Sequence, residues 1–219
     1  GSAGADNVTL GSANDVASLG NSNDTVNISR GGDDSINLGD GADVVVAGDA
    51  LNSNDTIMGG GGGDVLSYVD ADNGVTNELN NIIDFSRINV TNGAGSDTID
   101  ITLLTTTLLA NATLDASAAT GNGYLVLDAS AEDDSIVILG TARADQVTLG
   151  AGNDVLDASA GADVVNAADG GEDSINLGAD NDTVSFGTDV TNRDTVRGGA
   201  GTDVLVYSDT SSGAGTELD

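Results

Sequence analysis

Asp6, Asp15, Asp24, Asp34, Asp43, Asp55 and Asp64 follow one another at intervals of 9, 9, 10, 9, 12 and 9 residues. Asp145, Asp154, Asp163, Asp173, Asp182, Asp194 and Asp203 repeat the series, the irregular 10 and 12 included. Carboxylates at so regular an interval suit the binding of hard cations through oxygen. The rest of the composition points the same way. The 219-residue chain carries 36 acidic residues against five Arg, with no Lys, for a formal charge of −31. It has no Cys, which excludes thiolate metal sites and disulfides, and no His, which removes the usual zinc ligand and the commonest general base. Catalysis by carboxylates needs one constellation in one groove, whereas these recur along the whole chain, so no enzymatic activity is expected. Nucleic acid and membrane insertion are not expected either. Phosphate neutralisation needs clustered Lys and Arg, and no run of about 18 apolar residues is present.

The elements that must position these carboxylates follow from what lies between them. Each unit reads as a Gly-rich turn, an Asp and a short alternating strand, as in Leu38-Gly39-Asp40-Gly41-Ala42-Asp43-Val44-Val45-Val46. Two residues after the Asp comes an apolar side chain: Val8, Val26, Ile36, Val45, Ile57, Leu66. Two further on comes another in most units: Leu10, Leu19, Ile28, Leu38, Tyr68. Residues two apart on a strand share a face, so each unit offers one narrow apolar edge. A unit this short has no core of its own and must stack. The expected fold is all-β, a parallel β-roll or β-helix in which each strand pairs with the strand one coil away.

A second period is nested over the first. Residues 6–80 align with 145–219 at a constant offset of 139 without a gap, with 35 of the 75 positions identical. Ala17 and Leu19 of the first copy become Leu156 and Ala158 in the second, an exchange expected of neighbouring core positions where total volume matters. Three parts are read along the chain: a first array over 1–80, an irregular connecting segment over 81–144, and a second array over 145–219. The connecting segment keeps strand-like alternation in Ile99, Ile101 and Leu103, and repeats a Leu-Asp-Ala-Ser motif at Leu114–Ser117 and Leu127–Ser130. It is expected to form irregular coils of the same solenoid with fewer metal sites.

Gly59–Ser67 and Gly198–Val206, with Gly60, Gly62, Asp64 and Leu66, and Gly199, Gly201, Asp203 and Leu205, resemble the calcium-binding nonapeptide of the RTX (hemolysin-type) family, Gly-Gly-x-Gly-x-Asp-x-apolar-x. Gly150–Asp154 and Gly93–Asp97 are similar cores, so Asp97 joins the candidate ligands, as does Asp134. The resemblance implies several calcium ions, up to about five per array, held between successive same-side turns by Asp carboxylates and turn carbonyls. Carried over, Asp6/Asp24, Asp24/Asp43 and Asp43/Asp64 bracket sites along one edge, and Asp15/Asp34 and Asp34/Asp55 along the other. The second copy repeats this with Asp145/Asp163, Asp163/Asp182, Asp182/Asp203, Asp154/Asp173 and Asp173/Asp194. Extra residues before Asp34, Asp55, Asp173 and Asp194 are expected to distort some sites. The residue before the Asp is often Asn or Asp (Asn14, Asn23, Asp33, Asn54, Asn153, Asn181) and reads either as a local turn cap or as an added ligand.

The array-and-linker design resembles the repetitive parts of bacterial S-layer proteins and large RTX adhesins. It implies an extracellular, cell-surface location, secretion by a type I route, and a calcium-dependent structural module that self-associates with neighbouring copies or modules. Two other readings stand beside it. One is an adhesive module taking a cell-surface glycan as partner, for which only Tyr68, Tyr124 and Tyr207 offer aromatic platforms. The other is a calcium-folding secretion module of an exported enzyme or toxin.

Overall fold

A computed structural model describes residues 1–71, 78–94, 98–104, 108–188 and 190–208. Among them the chain is all-β. The first strands are β1 (Asn7–Thr9), β2 (Val16–Asn21), β3 (Thr25–Asn27), β4 (Ser35–Asp40), β5 (Val44–Gly48), β6 (Thr56–Gly61) and β7 (Val65–Asp70). Next come β8 (Ile82–Ile83), β9 (Phe85–Asn92), β10 (Thr98–Thr102), β11 (Leu108–Asp115), β12 (Tyr124–Asp128) and β13 (Ile136–Leu139). The last are β14 (Gln146–Thr148), β15 (Val155–Asp157), β16 (Val164–Asn166), β17 (Ser174–Asn176), β18 (Thr183–Gly187), β19 (Thr195–Arg197) and β20 (Val204–Tyr207).

Odd-numbered strands form one continuous ten-stranded sheet, β1 to β19 in order. Even-numbered strands form two successive sheets, β2-β4-β6-β8 and β10-β12-β14-β16-β18-β20. Every pairing is parallel, between strands one coil apart. This is the parallel β-solenoid that the nine-residue pattern demands: a turn, a strand in one sheet, a turn, a strand in the other.

One apolar rung per coil fills the interior. Along the ten-stranded sheet the aligned residues are Val8, Val26, Val45, Leu66, Ile88, Leu114, Ile138, Leu156, Ile175 and Val196. Opposite them run Ala17, Ile36, Ile57 and Ile82, and then Ile101, Leu127, Val147, Val165, Val184 and Leu205. Burying each Val, Leu or Ile contributes about 1.5–3 kcal/mol, and the rung runs unbroken through the connecting segment, so stacking does not depend on the Asp motif. Leu19, Leu156 and Ala158 are buried and Ala17 packs against the core, which places the Ala/Leu exchange on the inner face.

The two copies stand half a coil out of phase. Asp6 leads into β1 in the ten-stranded sheet, but its counterpart Asp145 leads into β14 in the sheet of β10 to β20. Thirteen strand steps separate them, an odd number, so equivalent edges face opposite sheets.

Candidate metal centre

Each repeat Asp sits where a turn enters a strand, one residue before the backbone ladder becomes regular. Its carbonyl accepts the N–H of the residue that starts the next coil's strand, as in Thr25 to Asp6, Val44 to Asp24 and Val65 to Asp43, each at 2.9 Å. Except at the last Asp of each ladder, its own N–H donates to the Oδ1 of the Asp one coil on; at Asp55 the N–H donates to the Asn52 carbonyl at 3.0 Å instead. Asp6 donates to Asp24 at 2.7 Å, Asp24 to Asp43 at 2.7 Å, and Asp43 to Asp64 at 2.8 Å. On the other edge Asp15 donates to Asp34 at 3.0 Å and Asp34 to Asp55 at 2.8 Å.

The second copy builds the same ladders. Asp145 donates to Asp163 and Asp163 to Asp182, each at 2.8 Å, and Asp182 to Asp203 at 3.1 Å. Asp154 donates to Asp173 at 3.0 Å and Asp173 to Asp194 at 2.9 Å. The structure thus joins by hydrogen bonds all ten Asp pairs that the resemblance implies. Asp97 lies outside the described residues. Asp134 is exposed and two positions short of the register, where Ile136 stands instead and donates its N–H to Asp154 Oδ1 at 3.0 Å.

Oδ1 therefore has a structural task, and a neutral amide oxygen could perform it. Yet none of the fourteen register positions is Asn, while Asn stands immediately before the Asp in five of them. The second oxygen explains the difference. Oδ2 of Asp24, Asp43, Asp64, Asp154, Asp163 and Asp182 is buried with no hydrogen-bond partner. A buried carboxylate oxygen without a donor is costly, and a bound cation removes that cost. Burial pushes the carboxyls of Asp163 and Asp173 up to about 7, with the neighbouring ladder carboxylates adding to the effect. Asp43, Asp64, Asp154 and Asp182 are raised too, burial again being the first cause.

The turns complete an all-oxygen donor set. Gly41 and Gly62 have φ of 156° and 137°, and a Cβ on either would fall on the carbonyl of the turn below, Ser22 for Gly41 and Gly41 for Gly62. Glycine thus lets stacked turns close together and brings main-chain carbonyls beside the carboxylates. Hard oxygens at a flexible turn edge fit calcium and offer nothing to a soft metal.

In some turns of both edges a local N–H covers Oδ2. Asn52 donates to Asp55 at 2.8 Å, Thr191 to Asp194 at 2.6 Å and Gly11 to Asp15 at 2.8 Å. At the first Asp of each copy Ser2 donates to Asp6 at 2.6 Å and Thr141 to Asp145 at 2.8 Å. The turns with extra residues leave the ladder intact.

Two polar features become visible only in the fold. At four of its five positions the Asn before the Asp is a strut between coils. Asn14 Oδ1 accepts the Asp33 N–H at 3.0 Å, Asn23 that of Ala42 at 3.0 Å, Asn153 that of Glu172 at 2.9 Å and Asn181 that of Thr202 at 2.8 Å. In the Leu-Asp-Ala-Ser motif the Asp closes an exit turn: Asp128 Oδ1 accepts from Ser130 N–H at 3.0 Å and from its hydroxyl at 2.6 Å. The Ser130 hydrogen bonds hold Asp128 below the usual carboxylate range, and Asp115 is also lowered, by Ser117 and the ion-paired Arg87 against the pull of burial. At Asp115 both carboxylate oxygens are engaged, Oδ1 by Ser117 and Oδ2 by Arg87.

Two sheets wound as a parallel solenoid, with carboxylate and carbonyl oxygens stacked along both turn edges, define a calcium-binding β-roll. The family model of the RTX calcium-binding nonapeptide repeat matches residues 1–27, 28–50, 139–171, 150–184, 167–189 and 191–209, more than half of the sequence. The chain belongs to that family, and calcium is its cofactor. Neither a curated protein nor a solved structure matches it.

Proposed function

We propose that the chain is a calcium-dependent structural and self-assembly module of a secreted bacterial surface protein, an S-layer or fibre scaffold, and not an enzyme. One observation carries this reading: the buried, unpartnered carboxylate oxygens recur at equivalent positions of both copies, Asp24 with Asp163 and Asp43 with Asp182. Calcium held there ties each coil to the next, so binding energy becomes folding energy and the loaded solenoid is stiff along its axis. The Asp carboxylates of the ladders hold the ions, and the glycine turns supply carbonyls. Self-association is part of the same proposal: calcium bridging the acidic turn edges of neighbouring copies is the contact it calls for. The glycan-adhesin reading has less support, since Tyr68 is buried and offers no platform.

Calcium titration followed by circular dichroism and light scattering tests the proposal. A calcium-driven gain of β-structure, with filaments, sheets or higher oligomers at concentrations where the chelated chain is monomeric, is the expected result. A folded, strictly monomeric calcium form would overturn the assembly role, and identical spectra in chelator and millimolar calcium would overturn the calcium-dependent fold.

A further inference from the structure

The turn between β12 and β13 breaks the ladder rule in an informative way. Ile136 fills the register position, and the acidic residues have moved up the turn to Glu132, Asp133 and Asp134. One carboxylate oxygen from each of the three lies within 4.8 Å of the others. Asp133 and Asp134 are exposed, but Glu132 is buried at 2% exposure. Its Oε1 accepts the Asp134 N–H at 3.4 Å, and its Oε2 is buried without a partner. One coil above, Asp154 Oδ2 is likewise buried and unpartnered. The turns are in close register. Ala151 N–H donates to the Glu132 carbonyl at 3.0 Å, Asn153 N–H to Ser135 Oγ at 3.0 Å, and a Cβ at Gly152 would fall on the Asp134 carbonyl.

No cationic side chain answers this charge. The ion pairs among the described residues are Arg87 with Asp115 and Arg193 with Glu172, both elsewhere. The start of the ladder on the opposite edge shows the contrast. There Leu125 takes the register position and donates to Asp145 Oδ1 at 2.8 Å. Thr141 covers Asp145 with its N–H at 2.8 Å and its hydroxyl at 2.7 Å, and Arg143 donates to the Gly121 carbonyl at 3.1 and 2.9 Å. One ladder thus begins on an arginine and a fully bonded carboxylate, the other on three carboxylates and two orphaned buried oxygens.

We infer that Glu132, Asp133 and Asp134 form a further calcium site, outside the nonapeptide motif and outside the family-matched segments, which closes the end of the Asp154–Asp173–Asp194 ladder. Glu132 is the buried anchor, and Asp133 and Asp134 supply the exposed oxygens. The ion takes the place that Arg143 holds on the other edge, neutralising the first turn of the second copy. The inference shares its cation with the ladder sites but none of the residues specific to it, so the two readings fail separately.

The test is calcium stoichiometry of the full chain by equilibrium dialysis, for the wild type, the amide variant E132Q/D133N/D134N and the ladder variant D163N/D182N. The amides keep the size and the acceptor oxygens while removing the charge. The expected result is about one ion fewer per chain for the triple variant, with a separate, additive loss for the ladder variant. Unchanged stoichiometry in the triple variant beside a loss in D163N/D182N would overturn this site and leave the ladder reading standing. No binding by the wild type would overturn both. Should the buried E132Q change prevent folding, D133N/D134N, which alters exposed side chains only, carries the same two outcomes.

Discussion

Asp43→Asn separates the two tasks of one carboxylate, because the amide keeps an Oδ1 to accept the Asp24 N–H now bonded at 2.7 Å. Only the charge and the unpartnered Oδ2 are lost. Burial raises the Asp43 carboxyl, and Asp24 repels its anion, so the calcium-free chain should be no less stable with Asn at 43 than with Asp. In calcium the sign reverses. Asp43 has a ladder neighbour on each side, Asp24 and Asp64, and so serves two bracketed positions. A site contributes about 2.7 kcal/mol when free calcium is about a hundredfold above its dissociation constant, so losing two costs up to about 5 kcal/mol. Asp6, with a ladder neighbour on one side only, should show about half of that as D6N. Urea unfolding followed by circular dichroism, at fixed free calcium and in chelator, measures all of these. Equal destabilisation of D43N in both conditions would show that the carboxylate acts through its ladder hydrogen bond alone, and no effect in either would reduce it to solvated surface.

The pH response of the chelated chain should run opposite to that of the loaded one. Asp163 and Asp173 stand at about 7 in the folded chain against an ordinary value near 4, so the folded state binds protons more readily. Folding in chelator is therefore most favourable below about pH 4, weakens as pH rises to about 7, and is level above; each group is worth at most about 4 kcal/mol, and about 2 once solvent at the turn edge is allowed for. Acidifying the chelated protein from pH 8 to 5 should increase its β-signal, while the calcium form should lose affinity over the same interval as protons compete for the carboxylates. Gly62→Ala should destabilise by more than about 4 kcal/mol, since the Cβ falls on the Gly41 carbonyl, whereas Gly170→Ala, with φ of 98° but nothing within 4 Å, should cost about 1–3 kcal/mol; urea midpoints in calcium distinguish them. Leu156→Ala should cost about 2–5 kcal/mol by opening a cavity in the apolar rung, in chelator and calcium alike, which separates core from metal contributions.

What the sequence carried openly was whatever repeats at short range. The Asp register gave the ladders because a pair one coil apart is also a pair about 19 residues apart, and Val45 or Ile57 could be placed inside by alternation alone. The Ala17/Leu19 exchange worked for the same reason, since both residues face one interior. Features that depend on a turn's detailed path were hidden. Whether Asn52 or Thr191 points its N–H at a neighbouring Oδ2 is fixed by the conformation of an inserted turn, which spacing does not report. The Asn struts are hidden in the sequence because their partners lie one coil away. Asp134 reads as a carboxylate of the repeat kind although Ile136 holds the register, because the Gly pattern that fixes phase is absent from that turn.

The half-coil phase shift bears on the proposed scaffold role. The unpartnered oxygens of Asp24, Asp43, Asp64 and Asp154 lie where turns enter the ten-stranded sheet, and those of Asp163 and Asp182 where turns enter the opposite one. The odd step places the members of the equivalent pairs, Asp24 with Asp163 and Asp43 with Asp182, on opposite edges. On the proposed scaffold reading, a face that one copy offers to a partner is offered by the next copy on the other side, so neighbours on either flank would meet equivalent acidic edges of this strongly anionic chain. The connecting segment gains a definite role in this picture. Its irregular coils keep the apolar rung unbroken while setting the count of strands to an odd number, so that the second copy continues the same core with its metal edge reversed.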